Sequence, residues 1–289
     1  MHEDNVKKYW LPLLALCLLV VVIFLVYLDW QNSRKEFTFA MLDVGQGDAL
    51  FIESPTGTQI LVDGGPPKKI LGELPRVMPP LDRSIDAIFI TNPDQDHIGG
   101  FLDVLKNYKV GKVFVSGTTS DSKTYQNLEE EILKDKIPQI IVKKGMNIDL
   151  GGGAAMKIIF PDRDVSTWPT NDGSIVARLT YGKNSIMLTG DASIKTEQII
   201  LNDNPQGSLK SDILKVAHHG SRNSTSEEFL QAIDPKIALI SDGKNNKYGH
   251  PHQEVLDLLA KFGIEIFRTD QVGTIIIKCD NMEVCKINK

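Results

Sequence analysis

Thr91-Asn92-Pro93-Asp94-Gln95-Asp96-His97-Ile98-Gly99-Gly100 is the stretch whose reading decides the fold. It leaves the apolar run 87–90 and enters a segment with helical spacing through Ile98, Phe101, Leu102 and Leu105. Asp94, Asp96 and His97 therefore crowd onto one strand-to-helix loop that Pro93 helps to shape. Alone, Asp-x-Asp is a common helix cap. Two later stretches repeat the arrangement. Gly190-Asp191 follows Ile186-Met187-Leu188, and His218-His219-Gly220-Ser221 follows the apolar run 213–216. Four of the six histidines, His97, His218, His219 and His250, fall at such places; His2 and His252 are the others. Three strand-end clusters of Asp and His are suited to converge on a metal pair, because two cations need several anionic oxygens plus imidazoles.

Outward from these clusters, strands are expected at 37–44, 49–53, 59–62, 87–91, 113–115, 140–142, 156–160, 175–180, 185–188, 212–216, 237–241, 264–268 and 274–278. Helices are expected at 97–108, 123–136, 193–201, 226–233 and 253–262. Two runs of strands, each interleaved with helices, predict an α/β (α+β) chain. Its sheets pack on each other with helices outside, a four-layer αββα sandwich. A doubly wound three-layer sheet fits less well: the opening strands form a meander, and no G-x-G-x-x-G or G-x-x-x-x-G-K-[ST] phosphate loop occurs. Lys215, between apolar Leu214 and Val216, is expected on the exposed face of a half-buried strand.

The 289 residues are 42% hydrophobic and 24% charged, which excludes a disordered, collagen-like or coiled-coil chain. A net charge of -5 and a pI near 5.7 disfavour binding to nucleic acid through a diffuse basic surface. A mean hydropathy of -0.12 argues against many membrane spans. It conceals one: Tyr9 to Leu28 carries no charge, and Lys8 and Asp29 bound it. These 20 residues reach roughly 30 Å as a helix, the thickness of a bilayer core. Trp10, Tyr27 and Trp30 sit at its ends, where aromatic rings favour the interface. No A-x-A-like cleavage site follows, so a retained anchor is expected rather than a signal peptide. The expected organisation is a tail 1–8, a transmembrane helix 9–28, a linker 29–36 and one domain 37–289. Lys7 and Lys8 on one side nearly balance Arg34 and Lys35 on the other. The short leading tail favours a domain outside the cytoplasm. Cys279 and Cys285 flank a five-residue stretch; a disulfide there fits an oxidising compartment, and two free thiols fit equally well.

T-N-P-D-Q-D-H-I-G-G resembles the H-x-H-x-D-H signature of the metallo-β-lactamase fold in its variant H-x-D-x-D-H-x-G-G. Leu42-Asp43-Val44-Gly45-Gln46-Gly47-Asp48-Ala49 and Ile60-Leu61-Val62-Asp63-Gly64-Gly65 are similar to its opening strands. Leu188-Thr189-Gly190-Asp191, 214–221 and Tyr248-Gly249-His250-Pro251 are similar to its later motifs. In this order they resemble the metallo-hydrolase domain of ComEC-type competence proteins, from about residue 37 to 277. The resemblance implies metal ligands at Asn92, Asp94, Asp96, His97, Asp191, His218 and His219, with Asp191 bridging two ions and His219 favoured over His218. It implies that Asp63 supports the metal loop from beneath.

Asn92 departs from the pattern, standing where relatives carry the first His. A neutral amide oxygen is a weaker ligand than imidazole, so the first ion should bind weakly. The carboxylate-rich remainder makes Mn²⁺ or Mg²⁺ credible beside Zn²⁺. The expected function is a membrane-anchored metal-dependent hydrolase, most plausibly a nuclease in which a metal-held hydroxide attacks the phosphorus of DNA. Asp96 and Asp191 serve that chemistry, and His250 is the candidate acid for the leaving oxygen. Ser221, Arg222, Ser224 and Tyr248 are candidate substrate-binding residues, with Lys215 and Lys247 adding local positive charge. A hydrolase of a small ester, lactone or nucleotide, and a binding domain with a degenerate site, are the alternatives. One span and one domain leave no room for a channel, so a separate channel protein is the expected partner if DNA is transported.

Overall fold

Alternate residues of the opening strands face two different cores. Phe37, Phe39 and Met41 pack into a cluster that also holds Leu50, Ile52, Ile60 and Val62. Their neighbours Ala40, Phe51 and Leu61 pack into another. A strand apolar on both faces has to lie inside the protein, and the computed structural model places these strands in the middle of four layers. It describes residues 3–33, 36–279 and 285–288.

An eight-stranded sheet runs Lys286–Asn288, Ile275–Cys279, Phe37–Met41, Leu50–Glu53, Gln59–Val62, Ala87–Ile90, Val113–Val115, Gln139–Ile141. A seven-stranded sheet runs Glu265–Arg268, Ile237–Ile240, Ile213–Lys215, Asn184–Leu188, Val176–Tyr181, Ala154–Phe160, Asn147–Gly151. The cluster between them includes Phe39 and Phe89 from the first sheet and Leu179, Ile186, Ile213 and Leu239 from the second. Helices Ile70–Val77, Phe101–Asn107 and Lys123–Lys134 cover the outer face of the first sheet through Ile70, Leu74, Phe101, Val104, Leu128 and Ile132. Ile194–Asp203, Glu227–Ile233 and Gln253–Lys261 cover the second through Ile200, Phe229, Leu230, Val255 and Leu259. Ser122 and Ser226 start two of these helices, their Oγ atoms accepting from Tyr125 N and Phe229 N at 3.2 and 3.3 Å. This is the expected αββα sandwich.

Each sheet has a parallel half: Gln59–Val62 with Ala87–Ile90 and Val113–Val115, and Asn184–Leu188 with Ile213–Lys215 and Ile237–Ile240. The carboxyl ends of both halves meet at one edge of the sandwich, and all three strand-end clusters lie there.

Lys215 corrects an expectation. Its period-2 alternation holds, since Ile213 faces the inner core and Leu214 the outer one. The face it shares with Ile213, however, is the interior between the sheets, and Lys215 is fully buried. It therefore offers no charge to a surface-bound polymer. The expected helix 97–108 is two pieces, Gln95–Ile98 and Phe101–Asn107. They break at Gly99-Gly100, where a Cβ on Gly100 would collide with the Gly64 carbonyl. Among the elements not expected from the pattern are two that the packing needs. Ile70–Val77 carries Pro75, and Asn147–Gly151 is a half-exposed edge strand.

The amino-terminal helix runs Glu3–Ser33, so helix continues into the stretch expected as linker. Its segment Tyr9–Leu28, of mean hydropathy 3.1 and with none of its residues buried, is long and apolar enough to cross a membrane. Cys279 and Cys285 are joined in a disulfide, which decides between the two alternatives; residues 280–284 lie outside the described residues.

Candidate metal centre

Backbone hydrogen bonds bring the first-sheet loops together before any side chain is considered. Asp48 N donates to Asp96 O at 3.2 Å, Gly64 N to His97 O at 2.6 Å, Gly65 N to Asp48 O at 2.7 Å and Gly100 N to Gly65 O at 2.8 Å. A Cβ on Gly47, at φ +131°, would run into the Asp96 carbonyl, so the approach of these loops requires glycine there. In the second sheet His218 and His219 are consecutive left-handed residues, at φ 49° and 55°. Non-glycine residues in that region cost on the order of 1 kcal/mol or more each. The strain turns the chain sharply enough to bring His219 over the strand end, and His218 N is held by Gly190 O at 3.1 Å.

Both central histidines are gripped from behind. His97 Nδ1 lies 2.8 Å from Asp63 Oδ2. Asp63 is itself fixed by Thr91, whose N and Oγ1 donate to it at 2.9 and 2.6 Å. His219 Nδ1 donates to Ser241 O at 2.9 Å. These bonds aim both Nε2 atoms at the same space. There, His97 Nε2 is 3.0 Å from Asp191 Oδ2, and His219 Nε2 is 3.5 Å from Asp96 Oδ2 and 3.7 Å from Asp191 Oδ2. Asp96, His97 and His219 offer ligand atoms within 4.8 Å of one another. Yet both Nε2 atoms and Asp191 Oδ1 are buried with no hydrogen-bond partner. Converging, unpartnered imidazole and carboxylate atoms are what a divalent cation satisfies, so these residues fit one.

The pKa shifts say the same thing. Burial would push His219 down, but Asp191 and Asp48 overcome it and raise it to about 10. His97, likewise opposed by burial, is held well above its ordinary value by Asp191 and Asp63. Burial favours a neutral Asp191, yet His97 and His219 keep it well below the usual carboxylate range. Without a cation, protons on the imidazoles carry the positive charge this cluster of acids demands.

Lys215 reaches the cluster from below. Its Nζ pairs with Asp48, donates to Gly190 O at 2.9 Å and lies 4.0 Å from Asp191 Oδ1. Burial raises Asp48, but Lys215, then His219 and His97, bring it down to about 2. Asp48 comes from the first sheet and Lys215 from the second, so this ion pair ties the two sheets together beneath the histidines. Asp48 went unassigned in the sequence reading. The available signal was an acid two residues before the apolar strand Leu50–Glu53.

Asn92 is differently placed. It is fully buried, its Oδ1 accepts from Asp94 N at 3.0 Å, and its Nδ2 donates to Ser174 Oγ at 3.4 Å. Ser174 Oγ in turn accepts from Asp191 N at 3.3 Å. The amide thus braces the Asp94 loop against Asp191, and its oxygen is engaged within its own loop. Asp94 Oδ2 accepts from Thr170 Oγ1 at 2.9 Å, and burial raises its pKa.

A cavity of about 180 Å³ opens over the histidines. Asp94, Asp96, Asp191, His218, His219, Tyr248 and His250 line it, together with Gln46, which the sequence reading left without a role. Burial, then His219 and His218, lower His250 to about 4. At neutral pH its ring is therefore neutral. Ser221 and Ser224 are buried away from this cavity, and Arg222 is exposed and paired with Glu254 at 3.3 Å.

The Metallo-beta-lactamase superfamily model matches residues 42–241. ComE operon protein 3 of Bacillus subtilis (strain 168) is 34% identical over 282 residues, covering 90% of this chain and 35% of its own. Recombination protein 2 of Haemophilus influenzae is 29% identical over 273 residues, 92% of this chain and 32% of its own. Competence protein ComA of Neisseria gonorrhoeae is 25% identical over 252 residues, 87% and 34%. The chain thus spans about a third of the length of these relatives. Among solved structures, CmlA, a diiron beta-hydroxylase from Streptomyces venezuelae, superposes with a TM-score of 0.53 at 14% identity, over 88% of this chain and 54% of its own. Igni18, a metallo hydrolase from Ignicoccus hospitalis, gives 0.51 at 14%, over 83% and 98%. At that identity these two share the fold.

Proposed function

The chain belongs to the metallo-beta-lactamase superfamily, with ComEC-type competence proteins as its curated relatives, and from that premise we propose a membrane-anchored, divalent-cation-dependent phosphodiesterase acting on DNA. One observation carries the reading: the buried Nε2 atoms of His97 and His219 converge with Asp96 and Asp191, and Asp96, Asp191 and His219 line an open cavity. In the proposed site Asp96, His97, Asp191 and His219 hold one cation. The ion supplies positive charge against the negative charge that develops on a phosphodiester under attack. Asp63 and Ser241 O keep the two imidazoles facing it, and Asn92 with Ser174 keeps Asp191 in register. His250, neutral at neutral pH, lines the cavity and accepts a hydrogen bond from the water that attacks phosphorus. That ComE operon protein 3, Recombination protein 2 and ComA are named for competence and recombination supports DNA among phosphodiesters.

Tyr9–Leu28 is proposed as the anchor, and the Cys279–Cys285 disulfide supports a domain facing an oxidising compartment. The full chain in detergent, loaded with Mn²⁺ or Zn²⁺, is expected to retain at least one ion per chain and to cut single-stranded DNA. Asp191→Ala is expected to lose more than about 100-fold in turnover, beyond the effect of removing an outer supporting residue. A cation-free chain with no turnover of any phosphodiester would leave the binding-domain alternative. Turnover confined to small esters or lactones would leave the other.

A further inference from the structure

A second cavity, of about 520 Å³, adjoins the first and shares Gln46, Asp96 and Tyr248 with it. Its character is different. Pro66 and Pro67 contribute apolar surface from one loop, and Tyr248 contributes an aromatic ring from another. Tyr248 is 52% exposed, so its ring is open to a ligand. The loop beneath the ring is fixed. Asn246 Oδ1 accepts from Tyr248 N at 3.1 Å and from His250 N at 3.0 Å, while Asn246 Nδ2 donates to Gly243 O and His250 O. The ring stacks near His250, with centroids 5.7 Å apart, so it sits immediately beside the proposed reaction centre. Lys247 Nζ hovers 5.0 Å above the same ring, a cation at the mouth of an apolar slot. Between the two cavities Gln46 Oε1 is buried without a partner.

We propose that this second cavity is a nucleobase subsite: it takes the base of an unpaired nucleotide whose phosphate lies over His97 and His219. The inference rests on the phosphodiesterase reading and adds the part of the substrate recognised. A base has two apolar faces and a polar edge. Tyr248 and the two prolines suit the faces, Gln46 Oε1 accepts from an amino or imino group on the edge, and Lys247 pairs with the adjoining phosphate. A base inside a duplex is stacked on its neighbours and cannot enter such a slot, so the subsite selects single strands or frayed ends.

The test compares a single-stranded oligodeoxynucleotide with the same strand carrying a tetrahydrofuran abasic site, both cut by the full chain in detergent with Mn²⁺. Base-aromatic stacking predicts that removing the base lowers kcat/KM roughly tenfold, through KM. Tyr248→Ala is expected to shrink that tenfold ratio to near one, and Tyr248→Trp to restore it. Equal cleavage of both strands by the unaltered chain, or a ratio unchanged in Tyr248→Ala, overturns the subsite and leaves the phosphodiesterase standing. Absence of cleavage of either strand removes the phosphodiesterase reading and the subsite with it.

Discussion

Two halves of the strand-end cluster contain similar residues and are built in opposite ways. In one, His97 and His219 are bonded from behind by Asp63 and Ser241 O, while their Nε2 atoms and Asp191 Oδ1 have no hydrogen-bond partner in front. In the other, Asn92 spends its oxygen on Asp94 N and its amino group on Ser174, and Asp94 accepts from Thr170. The first half leaves ligand atoms without hydrogen-bond partners, whereas in the second Asn92 Oδ1 and Asp94 Oδ2 each accept a hydrogen bond from the protein. What makes a polar residue a ligand is therefore which of its atoms the surrounding fold leaves free.

The sharpest way to break this comparison is to remove the charge under the open half. Lys215→Met leaves Asp48 buried without its lysine, with only His219 and His97 beside it. A loss of about 3–5 kcal/mol in folding stability is expected, measured by urea unfolding, with Asp48→Asn in the same chain recovering part of it. A loss under about 1 kcal/mol would mean that the Asp48–Lys215 pair does not hold the sheets together.

Asn92→His addresses the closed half directly. An imidazole there gives up the amide bonds to Asp94 and Ser174 and offers a ligand nitrogen. Metal analysis is expected to rise from one ion per chain towards two. A stoichiometry already at two in the unaltered chain would erase the distinction between the halves.

The smallest expected effect is on pH. His219 has its value raised to about 10 in the cation-free fold, above the ordinary 6.5. The stability it contributes is therefore complete below pH 6.5 and is lost as pH rises towards 10. A divalent ion competes with that proton for Nε2, so its affinity moves the other way. The gain in melting temperature on adding Mn²⁺ should grow steadily from about pH 6 to about pH 8. A gain independent of pH would place the ion away from His97 and His219.

Much of the fold was legible because its strands obey a short-range rule. Gln59–Val62 and Val113–Val115 are found where apolar β-formers bounded by turns put them. Ile70–Val77 was not, since Pro75 interrupts its helical pattern. Nor was Asn147–Gly151, because an edge strand with one face in water carries too few apolar residues to stand out. Of the candidate centre, Asp96, His97, Asp191 and His219 could be picked out because each follows a strand. Asp48 and Gln46 could not, since the turn that holds them becomes part of the site only when Asp48 N reaches Asp96 O and Gly65 N reaches Asp48 O.

By itself the sequence determined the 20-residue uncharged span, the alternation that makes strands, and the presence of acids and imidazoles at their ends. Only the tertiary structure decided that Lys215 points into the protein, that Asn92 is a brace, and that Cys279 meets Cys285. Alternation says that a residue's two neighbours face the other way. Whether its own side meets water or a second sheet carrying Asp48 depends on packing between segments more than 150 residues apart, a separation evident from their numbers. Burial and pairing of charge are properties of that packing.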